Sequence, residues 1–209
     1  MKITPELQTF FVSVESRARK HGVECVFRQA SQLPYPNTST LVDGYFVDTP
    51  RRTFAVAMGK PLEQWLPVYV HESSHMDQYL EGSAAWKERC ISGTMIESLD
   101  VIHLWIDRKI ELTAEQLADY VRRARNVEWD CERRSADKIA QFALPIDHRD
   151  YIRRANSYLY FYTATKELRF WPRSLSDVYI YCPAVFLPAD KYEYVPLALM
   201  DRYRRLLNK

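Results

Sequence analysis

TFAVAMGKPLEQWLPVYVHESSHMDQYLEG, running from Thr53 to Gly82, is the stretch that decides the fold of this 209-residue chain. Its first six residues, Thr53-Phe54-Ala55-Val56-Ala57-Met58, form a short apolar run closed by Gly59, the pattern of a buried strand. Leu62, Trp65, Leu66, Val68 and Tyr69 then recur at helical spacing, with Pro61 suited to a first turn and Gly82 to a C-terminal stop. Pro67 opposes one continuous helix, because it removes a backbone hydrogen bond and its ring clashes with the preceding turn. Either the helix kinks there or a second helix starts at Pro67. Both readings keep residues 71–75 on one helix.

Those five residues, His71-Glu72-Ser73-Ser74-His75, make an H-E-x-x-H motif, which arises by chance in roughly one chain of this length in a hundred. Positions i and i+4 of a helix stand one above the other, so both imidazoles reach one metal ion while Glu72 leans over the same point. Two imidazoles do not complete a catalytic zinc site, which takes three protein ligands and leaves a position for water. The candidates for the third lie in Asn126-Val127-Glu128-Trp129-Asp130-Cys131-Glu132, on a long helix opened by a capping box of Thr113 with Gln116 and ending before Pro145. Leu117, Val121, Ala124, Cys131, Ser135, Ile139 and Phe142 mark the apolar stripe of that helix. Glu128 falls at the centre of the stripe, Glu132 about forty degrees off it, and Asp130 on the opposite side. A carboxylate on a buried face needs a cation. The cation is either a metal or one of Arg122, Arg123, Arg125, Arg133 and Arg134. Cys131 offers a thiolate as a further ligand, although its place on the stripe fits ordinary burial.

With these residues in view, the chain resembles the zincin metallopeptidases, and within them the gluzincins, in which H-E-x-x-H is joined by a Glu from a later helix. A fainter similarity is to small phage-encoded proteins. The resemblance spans roughly residues 41–145. It implies Glu128 as third ligand, with Glu132 one turn on orienting a ligand His. The family's acid at that second position is usually Asp, so the reversed assignment, Glu132 on the metal, stays open. The implied activity is cleavage of peptide bonds in a peptide or protein substrate. Zn2+ bound by two neutral imidazoles and a carboxylate lowers the pKa of its water toward ~7, and Glu72 is the base that takes the proton. Donors for a tetrahedral oxyanion are sought among His148, Tyr158, Tyr160 and Tyr162. Tyr158 is the choice among them, on a helix expected over residues 147–170 with Asp147 as N-cap. His21 and His103 read as structural.

The rest of the chain frames this centre. A hydrophobic content of 47% over 209 residues supports a single domain over residues 1–209, without low-complexity segments or repeats. The first helix, with Leu7, Phe10, Phe11, Val14 and Ala18 on one face after Thr4-Pro5, is amphipathic and lacks the continuous apolar run of a signal peptide. No stretch reaches the ~18 apolar residues of a membrane span. Four scattered cysteines, Cys25, Cys90, Cys131 and Cys182, form no C-x-x-C pair, which fits reduced thiols and a cytoplasmic location. A net charge of +2 argues against a nucleic-acid partner. Local arginine runs at 122–125, 153–154 and 202–205 nevertheless leave an alternative: a catalytically inactive zincin-fold module that contacts protein or nucleic acid through its arginine-rich helices. An iron oxygenase with two His and a carboxylate fits poorly, since Glu72 then has no role.

The expected fold class is α+β: a small, mostly antiparallel sheet from residues 24–28, 41–47 and 53–58, the motif helix, and a helical second half. Residues 178–186 read as either a strand or a loop. If residues 53–58 form a sheet edge, an extended peptide can pair with it.

Overall fold

A computed structural model describes residues 3–171 and 178–207. Along the chain come α1 (Pro5–Lys20), β1 (Glu24–Arg28), β2 (Leu33–Pro34), β3 (Leu41–Val42), β4 (Gly44–Val47), β5 (Thr53–Ala57) and α2 (Leu62–Glu81). Then follow α3 (Ala84–Glu88), α4 (Ser98–Ile106), α5 (Ala114–Gln141), α6 (His148–Leu168) and α7 (Leu197–Leu206). The α+β class holds. The chain divides into two units, Met1–Ser83 with Arg134–Ile146 and Ala84–Arg133 with Asp147–Lys209, and α5 contributes to both.

In the first unit, a three-stranded sheet has the order β1-β5-β4, with β2 and β3 paired as a separate antiparallel ribbon. β5 is parallel to β1 and antiparallel to β4. The sheet is therefore mixed rather than mostly antiparallel, because the excursion through β2, β3 and β4 gives the chain room to return beside β1 in the same direction. β5 is also central, not an edge, which is why every one of its residues is buried. Residues 41–47 do not make one strand. They part at Asp43, whose carbonyl accepts from Ala57 N at 2.9 Å and whose carboxylate is held by Lys60 at 2.7 Å.

α2 covers the face of β4 and β5 and runs through Pro67 without interruption. Pro67 is the sixth helical residue, so the bond it forfeits is to the carbonyl of exposed Glu63, where water can replace it. Pro61 is the N-cap rather than part of the first turn, and Gly82 ends the helix at φ 62°. Tyr69 on α2 meets Phe10, Phe11, Phe27 and Phe54 with ring centroids 4.9 to 5.7 Å apart, which gathers α1, β1, β5 and α2 into one aromatic core. The C-terminal part of α5 is tied to the other end of α2. Ser135 Oγ donates to Ser74 Oγ at 2.9 Å, Lys138 Nζ reaches Asp77 at 2.7 Å and Ser73 Oγ at 2.9 Å, and Arg134 pairs with Glu81 at 2.6 Å.

The second unit is helical. Thr113 and Gln116 form the reciprocal capping box, at 3.0 and 3.2 Å. Leu117, Val121 and Ala124 of α5 pack with Ile102 and Trp105 of α4 and Tyr162 of α6. A second cluster joins Leu159, Phe161 and Ala164 of α6 to Tyr192 and to Leu199, Met200 and Tyr203 around α7. α6 starts where expected, with Asp147 accepting from Asp150 N at 2.8 Å, but ends at Leu168. Arg169 takes a left-handed conformation there and spends its side chain on the Trp105 carbonyl and Glu111. Residues 178–186 form no strand. The Asn156 amide donates to the carbonyls of Pro183 and Val185 at 2.8 and 2.9 Å, so a side chain takes the place of a strand partner. Among the described residues, no helix is long and apolar enough to cross a membrane.

Candidate metal centre

α2 carries the histidine pair. His71 Nε2 and His75 Nε2 approach to 3.1 Å, with their rings 4.7 Å apart and nearly perpendicular. Two nitrogens that share a tetrahedral zinc at ~2.0–2.1 Å stand about 3.3 Å apart, so the pair is nearly at ligand spacing. His75 Nδ1 lies 2.8 Å from Gln78 Oε1. A carboxamide oxygen only accepts, so this contact puts the His75 proton on Nδ1 and the lone pair on Nε2, where a metal needs it. Both rings are half-buried, as is Glu72 between them.

The local sequence explains this geometry. Ser73 and Ser74, fully buried, donate back to the Val70 carbonyl at 2.7 and 2.9 Å and leave only small groups on the face that meets residues 134–141. On the opposite side, Gly44 of β4 lets the strand approach α2. A Cβ there would stand 3.2 Å from Glu72 Cγ. Glu72 therefore lies over β4, the terminal strand of the sheet.

In the other unit, a buried carboxylate pair stands on α5 beside tyrosines of α6. Glu128 and Glu132 are each only 8% exposed, and their carboxylate oxygens come within 4.8 Å of one another. Two buried carboxylates this close repel unless cations or donors compensate them. Tyr151 of α6 donates to Glu132 at 2.5 Å. Tyr158 and Tyr162 hydroxyls are 3.0 Å apart. Burial pushes the Tyr162 phenol well above its ordinary pKa, with Tyr158, Glu128 and Glu132 adding to the shift, so this hydroxyl stays protonated beside the acids.

Each of the five arginines of α5 has a partner of its own among the described residues. Arg122 and Arg123 clasp Asp119 at 2.6 and 2.7 Å, Arg125 reaches Thr163, Arg133 lies over the Trp129 ring, and Arg134 holds Glu81. Other arginines are likewise matched within their own unit: Arg154 pairs with Asp150, and Arg204 with Asp201 and Glu167.

The remaining candidates separate clearly. Tyr158 is half-buried and joins the tyrosine pair next to the carboxylates, whereas Tyr160 belongs to the core against Tyr192. His148 is exposed at the start of α6. His21 caps α1, and His103 packs on Trp171, with burial lowering its pKa. Among the described residues none of the four cysteines is in a disulfide, and Cys131 is fully buried.

Three contributors escaped the sequence reading. Gln78 was legible in principle, being three residues from His75 and so its neighbour on the helix surface. Gly44, inside the expected 41–47 strand, carries no local signal of its role, which is close packing against α2. Tyr151 gave no signal, as one of fourteen tyrosines whose partner lies on another helix. No protein-family model, curated protein or solved structure matches this chain.

Proposed function

We propose that this chain is a zinc-dependent hydrolase that cleaves peptide bonds, with His71, His75 and Glu128 holding the ion, Glu132 supporting them and Glu72 acting as base. The observation that carries the reading is the 3.1 Å approach of the two Nε2 atoms on the helix that also bears Glu72. The donor set fits: two imidazoles, one with its tautomer fixed by Gln78, and two buried carboxylates on one helix. α5 is unbroken from Ala114 to Gln141, and its Ser135 bonds Ser74, the residue before His75. Glu132 and Glu128 lie one and two turns N-terminal of Ser135, and this continuity supports a shared ion. Tyr151 engages Glu132, which favours Glu128 as the ligand.

Zinc held there supplies an acidified water and a Lewis acid for the scissile carbonyl. Glu72 accepts the proton of the attacking water and returns it to the leaving amine. Tyr158 is the donor proposed for the developing oxyanion, kept in place by Tyr162. β4, not β5, is the sheet edge beside Glu72 along which an extended peptide pairs.

Elemental analysis of protein purified without added zinc tests the metal: about one equivalent is expected, lost in His71→Ala and in Glu128→Ala and largely kept in Glu132→Ala. Less than about half an equivalent, unchanged by His71→Ala, refutes the centre. Glu72→Gln is expected to keep the zinc and abolish cleavage of a casein substrate; retained cleavage refutes Glu72 as base.

A further inference from the structure

The second unit holds a cavity of about 290 Å³ that is distinct from the residues of the metal proposal. Arg122 and Arg125 of α5, Lys166 of α6, and the carboxylates of Asp119 and Glu193 line it. Asp119 is already spent on Arg122 and Arg123, at 2.6 and 2.7 Å. That leaves Arg125 and Lys166 facing Glu193.

Arg125 is the unusual member, because it is only 3% exposed and yet poorly satisfied. Of its five N–H donors, one reaches Thr163 Oγ1 at 3.2 Å, while Nε, fully buried, has no hydrogen-bond partner among the described residues. Its nearest carboxylate, Glu193, is 3.8 Å from Nη2, which is too far for a hydrogen bond. A guanidinium taken out of water and left with unmade hydrogen bonds is destabilising, and a matching anion offsets that cost. Lys166, about half-buried, forms no ion pair among the described residues. Burial, and then repulsion from Arg125, lowers its pKa, against the opposing pull of Glu193 and Glu167. Two partly desolvated cations that repel each other across one cavity share the single half-exposed carboxylate of Glu193, which leaves an excess of positive charge for a further anion.

We propose that this cavity binds a phosphate group, with Arg125 and Lys166 as donors and Glu193 as a displaceable gate. A guanidinium edge offers paired donors to two oxygens and an ammonium supplies a point charge to a third, a set that suits a tetrahedral oxyanion better than a carboxylate. Glu193, whose side chain is 48% exposed, sits in the short 3₁₀ turn Ala189–Glu193 and can turn outward to solvent as the anion enters. Nothing in this proposal depends on the metal centre.

Calorimetric titration of the full chain with inorganic phosphate at fixed ionic strength tests it. One saturable site is expected, with acetate at least about ten-fold weaker. Lys166→Met should weaken phosphate about five-fold or more, and Glu193→Gln, which removes the competing carboxylate, should strengthen it about three-fold or more. Both positions are partly exposed, and far-ultraviolet circular dichroism checks that the variants fold. Absence of saturable binding, acetate equal to phosphate, or an affinity that either substitution leaves unchanged overturns the site.

Discussion

Gly44→Ala places one methyl group where the sheet meets the motif helix, and its consequences follow from three distances. The new Cβ would stand 2.7 Å from Val68 Cγ1, 3.0 Å from the Ala55 carbonyl oxygen and 3.2 Å from Glu72 Cγ. Carbon atoms settle at about 3.5–4.0 Å, so the overlap with Val68 is roughly 1 Å. Val68 can give a little, but Ala55 lies in the central strand, paired with Val26 on one side and Tyr45 on the other. The strain therefore goes into the spacing between β4 and α2. Gly44 is not among the glycines with positive φ, so the requirement is for space and not for a special backbone conformation. Overpacking of this kind costs about 1–3 kcal/mol, and each kcal/mol lowers Tm by about 2–4 °C in a chain of this size. Glu72 Cγ, at 3.2 Å, must give by only a few tenths of an ångström, less than the 1 Å misplacement that costs about a hundred-fold, so with Glu72 as the proposed base kcat is expected to fall several-fold. Thermal denaturation and casein hydrolysis measure the two effects separately. Gly22→Ala is the control: its Cβ meets nothing within 4 Å, but its φ of +68° makes any side chain strained. It should lower Tm by a few degrees, from a cost of about 1 kcal/mol, with hydrolysis intact. A Gly44→Ala protein with wild-type Tm and wild-type kcat refutes the reasoning.

Three further outcomes are expected. Gln78→Leu removes the acceptor that fixes the His75 tautomer and should weaken zinc affinity about 10- to 100-fold in a chelator competition; unchanged affinity rejects Gln78 as the orienting group. Tyr151→Phe deletes a hydrogen bond to a buried carboxylate and should cost about 1.5–3 kcal/mol in denaturant unfolding, so a loss below about 0.5 kcal/mol contradicts that bond's importance. Partial burial alone would raise the Glu81 pKa, but hydrogen bonds from Arg134 and Arg17 outweigh it and hold the carboxyl below its ordinary value of 4.5. The stability from these pairs is thus full above that value and fades as pH falls through the lowered pKa. Glu81→Gln should lower Tm at neutral pH and flatten its acid-side decline; parallel pH profiles count against the coupling.

Elements whose signals are local can be read along the chain. The 3.6-residue spacing of apolar residues, the Thr113–Gln116 box, Asp147 as N-cap and Gly82 as stop mark the end of α2, the start of α5 and the start of α6, because caps and stripes act within a turn or two. The same periodicity put His71 above His75 and Glu128 on the buried stripe of α5. Distant pairing lay beyond it. Whether residues 53–58 end the sheet or occupy its centre depends on which strands return beside them, and a run buried on both faces looks alike in either place. Pro67 reads as a helix breaker, yet the bond it forfeits falls at an exposed carbonyl. Tertiary structure alone decided that Gly44 clears room for Glu72, that Tyr151 reaches Glu132, and that Arg125 is buried with a donor left over. Each of these joins side chains from different elements, and no period along one segment records such a contact.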